Sequence, residues 1–146
     1  MKIIKLNKDD KYIITEQDFP DKFHKIVFGA IYKIYELGAA VLARQVTAAT
    51  NILSWLISSN TNEYMIFGGV VAQLRRAYYA TNSKDDINII GKLLGCSPYA
   101  IKYSRRDYGN NPDAVKACYA KALELEYQIK SGQITVNAAL DALIYR

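Results

Sequence analysis

The sequence predicts an all-α domain of six to eight packed helices, and three features point to it. Apolar residues recur at steps of three and four along most of the chain from about His24 onward. Helix start signals alternate with stop signals, as in Gly95 followed by Ser97-Pro98, Gly109 followed by Asn111-Pro112, and Gly132 followed by Thr135. About half of the 146 residues are apolar (51%), enough to bury one core and too many for a disordered chain.

Residues 1–20 read differently from the rest and form an N-terminal arm; residues 21–146 form the helical domain. In the arm, Met1 to Leu6 and Tyr12 to Ile14 flank the turn-like Asn7-Lys8-Asp9-Asp10, which suits a small hairpin or a frayed arm. Thr15 to Asp18 has the spacing of a helix N-terminus, and Pro20 limits how far such a helix runs.

The helices follow in order. Val27, Ile31 and Ile34 share one stripe, and Gly38 is a plausible break. Leu42, Val46, Ala49, Leu53 and Leu56 form a second stripe with steps of four and three. Asn60 with Glu63 resembles a capping box for a third helix, with Phe67, Val70, Leu74 and Tyr78 inward. Ser83 with Asp86 opens a fourth, carrying Ile87, Ile90 and Leu94 and closed by Gly95 as a left-handed cap. Ser97 caps a fifth helix with proline in its first turn, and Gly109 closes it. Asn111-Pro112-Asp113 starts a long sixth helix with Val115, Cys118, Ala122, Leu125 and Ile129 inward, ending at Gly132. Thr135 caps a last short helix with Val136, Leu140 and Leu143 inward. No internal repeat or low-complexity linker follows residue 20.

Composition excludes several classes. The longest apolar runs, such as Ile26 to Ile31, are too short to span a bilayer. No basic start precedes an apolar stretch and a small-residue cleavage site. Two distant cysteines, Cys96 and Cys118, fit a reduced, cytoplasmic chain. The formal charge of +5 is mild and interleaved; it permits nucleic-acid contact without demanding it. Twelve tyrosines suit the edge of a core, with rings buried and hydroxyls wet.

Catalytic and metal chemistry is not legible. The single histidine, His24, has no orienting carboxylate or nucleophile in a recognisable pattern. The cysteines lack zinc-site spacing and read as small core residues. Gly68-Gly69 lies inside a helical stripe without the lysine and hydroxyl residue of a phosphate loop, so these glycines serve close packing or a slight kink. Asp9-Asp10 and Asp85-Asp86 sit at turns or helix starts, where the helix dipole explains them. No cofactor is expected.

One ordered series of motifs goes further. Val71-Ala72-Gln73-Leu74-Arg75-Arg76 stands where the delta subunit of the bacterial DNA polymerase III clamp loader has a pattern like Leu-Ala-Arg-Gln-Phe-Arg. Lys92-Leu93-Leu94-Gly95-Cys96-Ser97-Pro98-Tyr99 is similar to that family's short helix, turn and next helix, with Ser97 where histidine is common. Glu126-Tyr127-Gln128-Ile129-Lys130-Ser131-Gly132 resembles the end of its last long helix, with glutamate where aspartate is usual. Ile14 to Asp18 and Val27-Phe28 look like the start of the family's C-terminal collar domain, while residues 28–60 match by helical pattern alone.

The resemblance implies an oligomerisation domain. A collar of this kind joins a five-membered ring with gamma/tau and delta-prime type subunits, and the ring loads the sliding clamp in DNA replication. The family's AAA+-like domain, lid and clamp-binding element precede the collar. The arm would then be the end of the lid or a linker, with Met1 supplied by cloning or by an unusual reading frame. Sliding clamp and primed DNA would be met only through those preceding domains. Delta is also the member that does not hydrolyse ATP, so a non-catalytic part of a polymerase holoenzyme is implied.

A closed ring needs two sticky faces per domain, and such faces favour aromatic and arginine residues. The candidates are Gln73, Arg75 and Arg76 on the polar flank of the third helix, and Tyr99, Lys102, Tyr103, Arg105 and Arg106 on the fifth. Ser83 to Tyr108 also looks like a helix-turn-helix whose second helix carries Lys102, Arg105 and Arg106, which makes a DNA-binding regulatory domain the alternative. Against it, that helix begins Pro98-Tyr99-Ala100-Ile101, where base-reading polar residues belong. An all-α enzyme using tyrosine and arginine is a third, weaker reading.

Overall fold

The computed structural model describes the backbone of residues 4–5, 12–13 and 22–146, and side chains from residue 29. The short strands Ile4–Lys5 (β1) and Tyr12–Ile13 (β2) pair antiparallel, Ile4 opposite Ile13 and Lys5 opposite Tyr12. The helix start expected at Thr15 to Asp18 and the side chains of His24 and Val27 lie outside the described residues. Seven helices follow among the described residues: α1 (Lys22–Leu42), α2 (Val46–Ser58), α3 (Glu63–Asn82), α4 (Ile87–Leu94), α5 (Pro98–Tyr108), α6 (Pro112–Lys130) and α7 (Val136–Ile144). The fold is all-α, as the apolar periodicity predicts.

The last three helices start where their signals stand. Ser97 Oγ accepts from the Tyr99 N–H, Asn111 Oδ1 from Ala114, and Thr135 Oγ1 from Ala138. Gly95 is left-handed at φ 70° and closes α4. Inward residues of α6 and α7, from Val115 to Leu143, are buried as expected, with Ile129 at the edge.

Four expectations are corrected. Gly38 does not break a helix; α1 runs through it, because the glycine makes room for a neighbour. The stripe from Leu42 to Leu56 is split between two helices by a turn at Ala43-Arg44-Gln45, with Arg44 at φ 55°. Ile31 is 55% exposed, and Ala30, Ile34, Leu37 and Val41 form the inner stripe instead. The caps of α3 and α4 are Asn62 and Asp86 rather than Asn60 and Ser83. Asn62 Oδ1 accepts from Tyr64 and Met65, and Asp86 Oδ1 accepts from Asn88.

Helix α3 organises the bundle. The main core joins residues of α1, α2, α3, α6 and α7, whereas Ala80, Ile90 and Ile101 close a smaller core between the end of α3, α4 and α5. Ile34 packs on Gly69 and Gly38 on Gln73, in the same order along each helix, so α1 and α3 run parallel. Asn82 reaches the Pro112 carbonyl and the Tyr78 ring lies 5.2 Å from Tyr119, so α6 returns antiparallel to α3. Arg146 Nη1 donates to the Val41 and Leu143 carbonyls and ties the C-terminus to the end of α1.

Candidate assembly surface

Successive residues of a helix turn by about 100°. Along α3 this buries Ile66, Phe67, Val70, Leu74, Ala77 and Ala80 and leaves an outer strip of Met65, Gly68, Ala72, Arg75, Arg76 and Tyr79. Arg75 and Arg76 stand on the two edges of that strip. Arg75 is exposed and lines a groove of about 560 Å3 with Tyr78, Tyr79, Ile90 and Leu93. Leu93 projects beside it at 77% exposure. Burial pushes the Tyr119 phenol up, while the nearby Arg75 guanidinium pulls it back. Arg76 is half-buried on the opposite edge.

Helix α5 packs along α3 and supplies the other candidates. Lys102 is exposed, and Tyr99 and Tyr103 are half-buried. The Arg106 guanidinium sits 4.7 Å from the Tyr103 ring centroid and 3.0 Å from the Asp107 carboxylate. That ion pair is exposed and contributes little, while the guanidinium also stacks over the Tyr103 ring.

Gln73 faces inward, which corrects its place on a polar flank, and the half-exposed Arg105 is bonded to the chain itself. Gln73 is 5% exposed, and a Cβ at Gly38 would collide with its side-chain amide. It is a spacer between α1 and α3 and not part of a polar flank. Arg105 Nε donates to the Ala80 carbonyl at 2.7 Å, and Nη2 donates to the carbonyls of Ser83 and Asp85. A planar fork with fixed donors suits this task, because the last carbonyls of a helix lack partners. Arg105 therefore holds the α3–α4 junction. The same bonds weaken the helix-turn-helix reading, since one of its basic residues is spent inside the fold.

Gly68, Tyr79 and Leu93 were missed as surface residues. Projecting the sequence on a helical wheel would have placed Gly68 and Tyr79 between the two arginines; nothing in the sequence marks Leu93. Burial pushes the Cys118 thiol up, away from the reactive thiolate. Among the described residues no three metal-ligating side chains gather, and no helix is long and apolar enough to cross a membrane.

The family model described as DNA polymerase III delta subunit, C-terminal domain, matches residues 32–146. The chain belongs to this family. Among solved structures, the Bacillus subtilis DNA clamp loader delta protein is similar in fold, with a TM-score of 0.63 at 16% identity. The match covers 80% of this chain and 35% of that one, so the chain spans about a third of that relative's length. No curated protein matches. As a delta C-terminal domain, the chain uses the α4–Gly95–α5 pair as part of its bundle, and the DNA-binding alternative is not favoured.

Proposed function

We propose that this delta C-terminal domain is a collar: it holds a delta-type subunit in the clamp-loader ring, beside gamma/tau and delta-prime type subunits. The observation that carries the reading is the family match over residues 32–146. Arg75, Arg76, Tyr99, Lys102, Tyr103 and Arg106 are the contact residues of the proposal, with Gln73 and Arg105 setting the backbone beneath them. The exposed apolar side chains around them, Met65, Tyr79 and Leu93, supply area that association can bury. The collar's work is positional. By fixing neighbours, it lets parts of the delta subunit beyond this chain open and load the sliding clamp on primed DNA.

Size-exclusion chromatography with light scattering tests this, using the chain mixed with the other clamp-loader subunits of the same cell. A complex whose mass exceeds any component is expected. Elution of the folded chain by itself at micromolar concentration, with those subunits competent to assemble around a longer delta protein, would contradict it.

A further inference from the structure

Gly68 stands in the interior of a 20-residue helix, where glycine is the poorest residue but proline. Among the described residues, a Cβ added there would meet nothing within 4 Å. The other glycines whose surroundings are described are accounted for inside the chain, by close neighbours or by positive φ. Gly69, next to it, has the Ile34 side chain 2.6 Å from the position of a Cβ. Gly68 thus has the local cost of a glycine without any contact among the described residues that needs one.

Its position supplies the missing reason. Gly68 lies on the outer strip of α3, between Met65 (45% exposed) and the small Ala72, with Tyr79 (41% exposed) further along. A flat strip of this kind lets a second helix approach the backbone closely. Arg75 and Arg76 border the strip on its two edges, and among the described residues neither makes an ion pair. The surface is therefore a shallow apolar track between two cations.

We infer that Gly68 is a contact point at which a helix of a neighbouring clamp-loader subunit lies directly on the α3 backbone, with carboxylates along its edges reaching Arg75 and Arg76. This rests on the collar reading and names the face and the partner chemistry within it. A second copy of this chain would bring arginines against arginines, so a carboxylate-bearing helix is the occupant the charges select.

The test compares wild type with Gly68→Ala and Gly68→Leu for thermal stability and for affinity to the gamma/tau and delta-prime type subunits. Both substitutions replace glycine by a good helix former on an open face, so Tm should rise by roughly 2–4 °C. Affinity should move the other way, falling at least about tenfold for Gly68→Leu because the added side chain props the helices apart. Wild-type affinity should also weaken as salt screens the two arginines. Equal affinity of all three proteins would overturn the inference and leave the collar reading standing. Wild type that binds no subunit would remove both. Self-association of wild type that Gly68→Leu abolishes would overturn the inference in favour of a second copy.

Discussion

At the scale of single residues, the fold depends on side chains whose partners are distant in sequence. Arg105 closes three carbonyls left open where α3 ends. Charge-assisted bonds of this kind contribute about 1.5–3 kcal/mol each at most, and solvent around a half-exposed arginine reduces that. Arg105→Ala should lower unfolding free energy by about 2 kcal/mol in urea, and Arg105→Lys should recover only part, since one ammonium cannot span the fork. A charge reversal at Arg105 would therefore report on folding before assembly. Gly38 and Gln73 form a second pair. Gly38→Ala should be more favourable in a Gln73→Ala background than in wild type by about 1 kcal/mol, as the helix gains alanine without displacing the amide. A double-mutant cycle with no coupling would show that Gln73 moves aside freely. Neither role was legible in the sequence. Residue type announces an arginine or a glutamine, but its face on the helix and its bonding partner are set by the packing of other helices.

At the scale of elements, the local signals that succeeded are those whose chemistry is complete within a few residues. Ser97-Pro98, Asn111-Pro112 and Thr135 each carry both the cap and the start of the helix, and Gly95 supplies its own left-handed backbone. The signals that failed were duplicated or silent. Asn60 read as the cap, but it takes φ 59° in the turn and Asn62, two residues on, takes the cap. Asn62→Ala should cost about 1 kcal/mol, whereas Asn60→Gly should be neutral or stabilising. The turn after α1 contains no glycine or proline, so its apolar period runs on and conceals the break. Asp86 offers a further check. Bonds from the Asn88 backbone N–H and side-chain amide, each 2.8 Å long, hold its carboxyl below the usual range. A lowered folded value means stability that is fully present above the unfolded value and lost as pH falls through the folded one. Wild type should therefore lose stability more steeply below about pH 4 than Asp86→Asn, which keeps a cap without titrating. Identical acid profiles would remove the charge from the cap's role.

At the scale of the whole molecule, α3 does two things: its inner face joins the large core to the small one, and its outer face is left uncovered by the other described residues. The family and the all-α class were legible because they reside in ordered motifs and in periodicity. The surface was legible only in part. Arg75, Arg76, Lys102 and Arg106 could be named as polar positions, but the sequence did not separate them from the buried Gln73 or from Arg105, whose guanidinium is bonded to the chain itself. Arg76→Glu should leave the urea midpoint within experimental error and weaken assembly with the clamp-loader subunits about tenfold, a loss that high salt should shrink. The most direct measurement is amide hydrogen exchange across the chain, with and without those subunits. The account requires slower exchange through α3, centred on residues 64–79, and in the exposed turns of α5. Slowing confined to α6 and α7, or no change under conditions where a complex has formed, would contradict it.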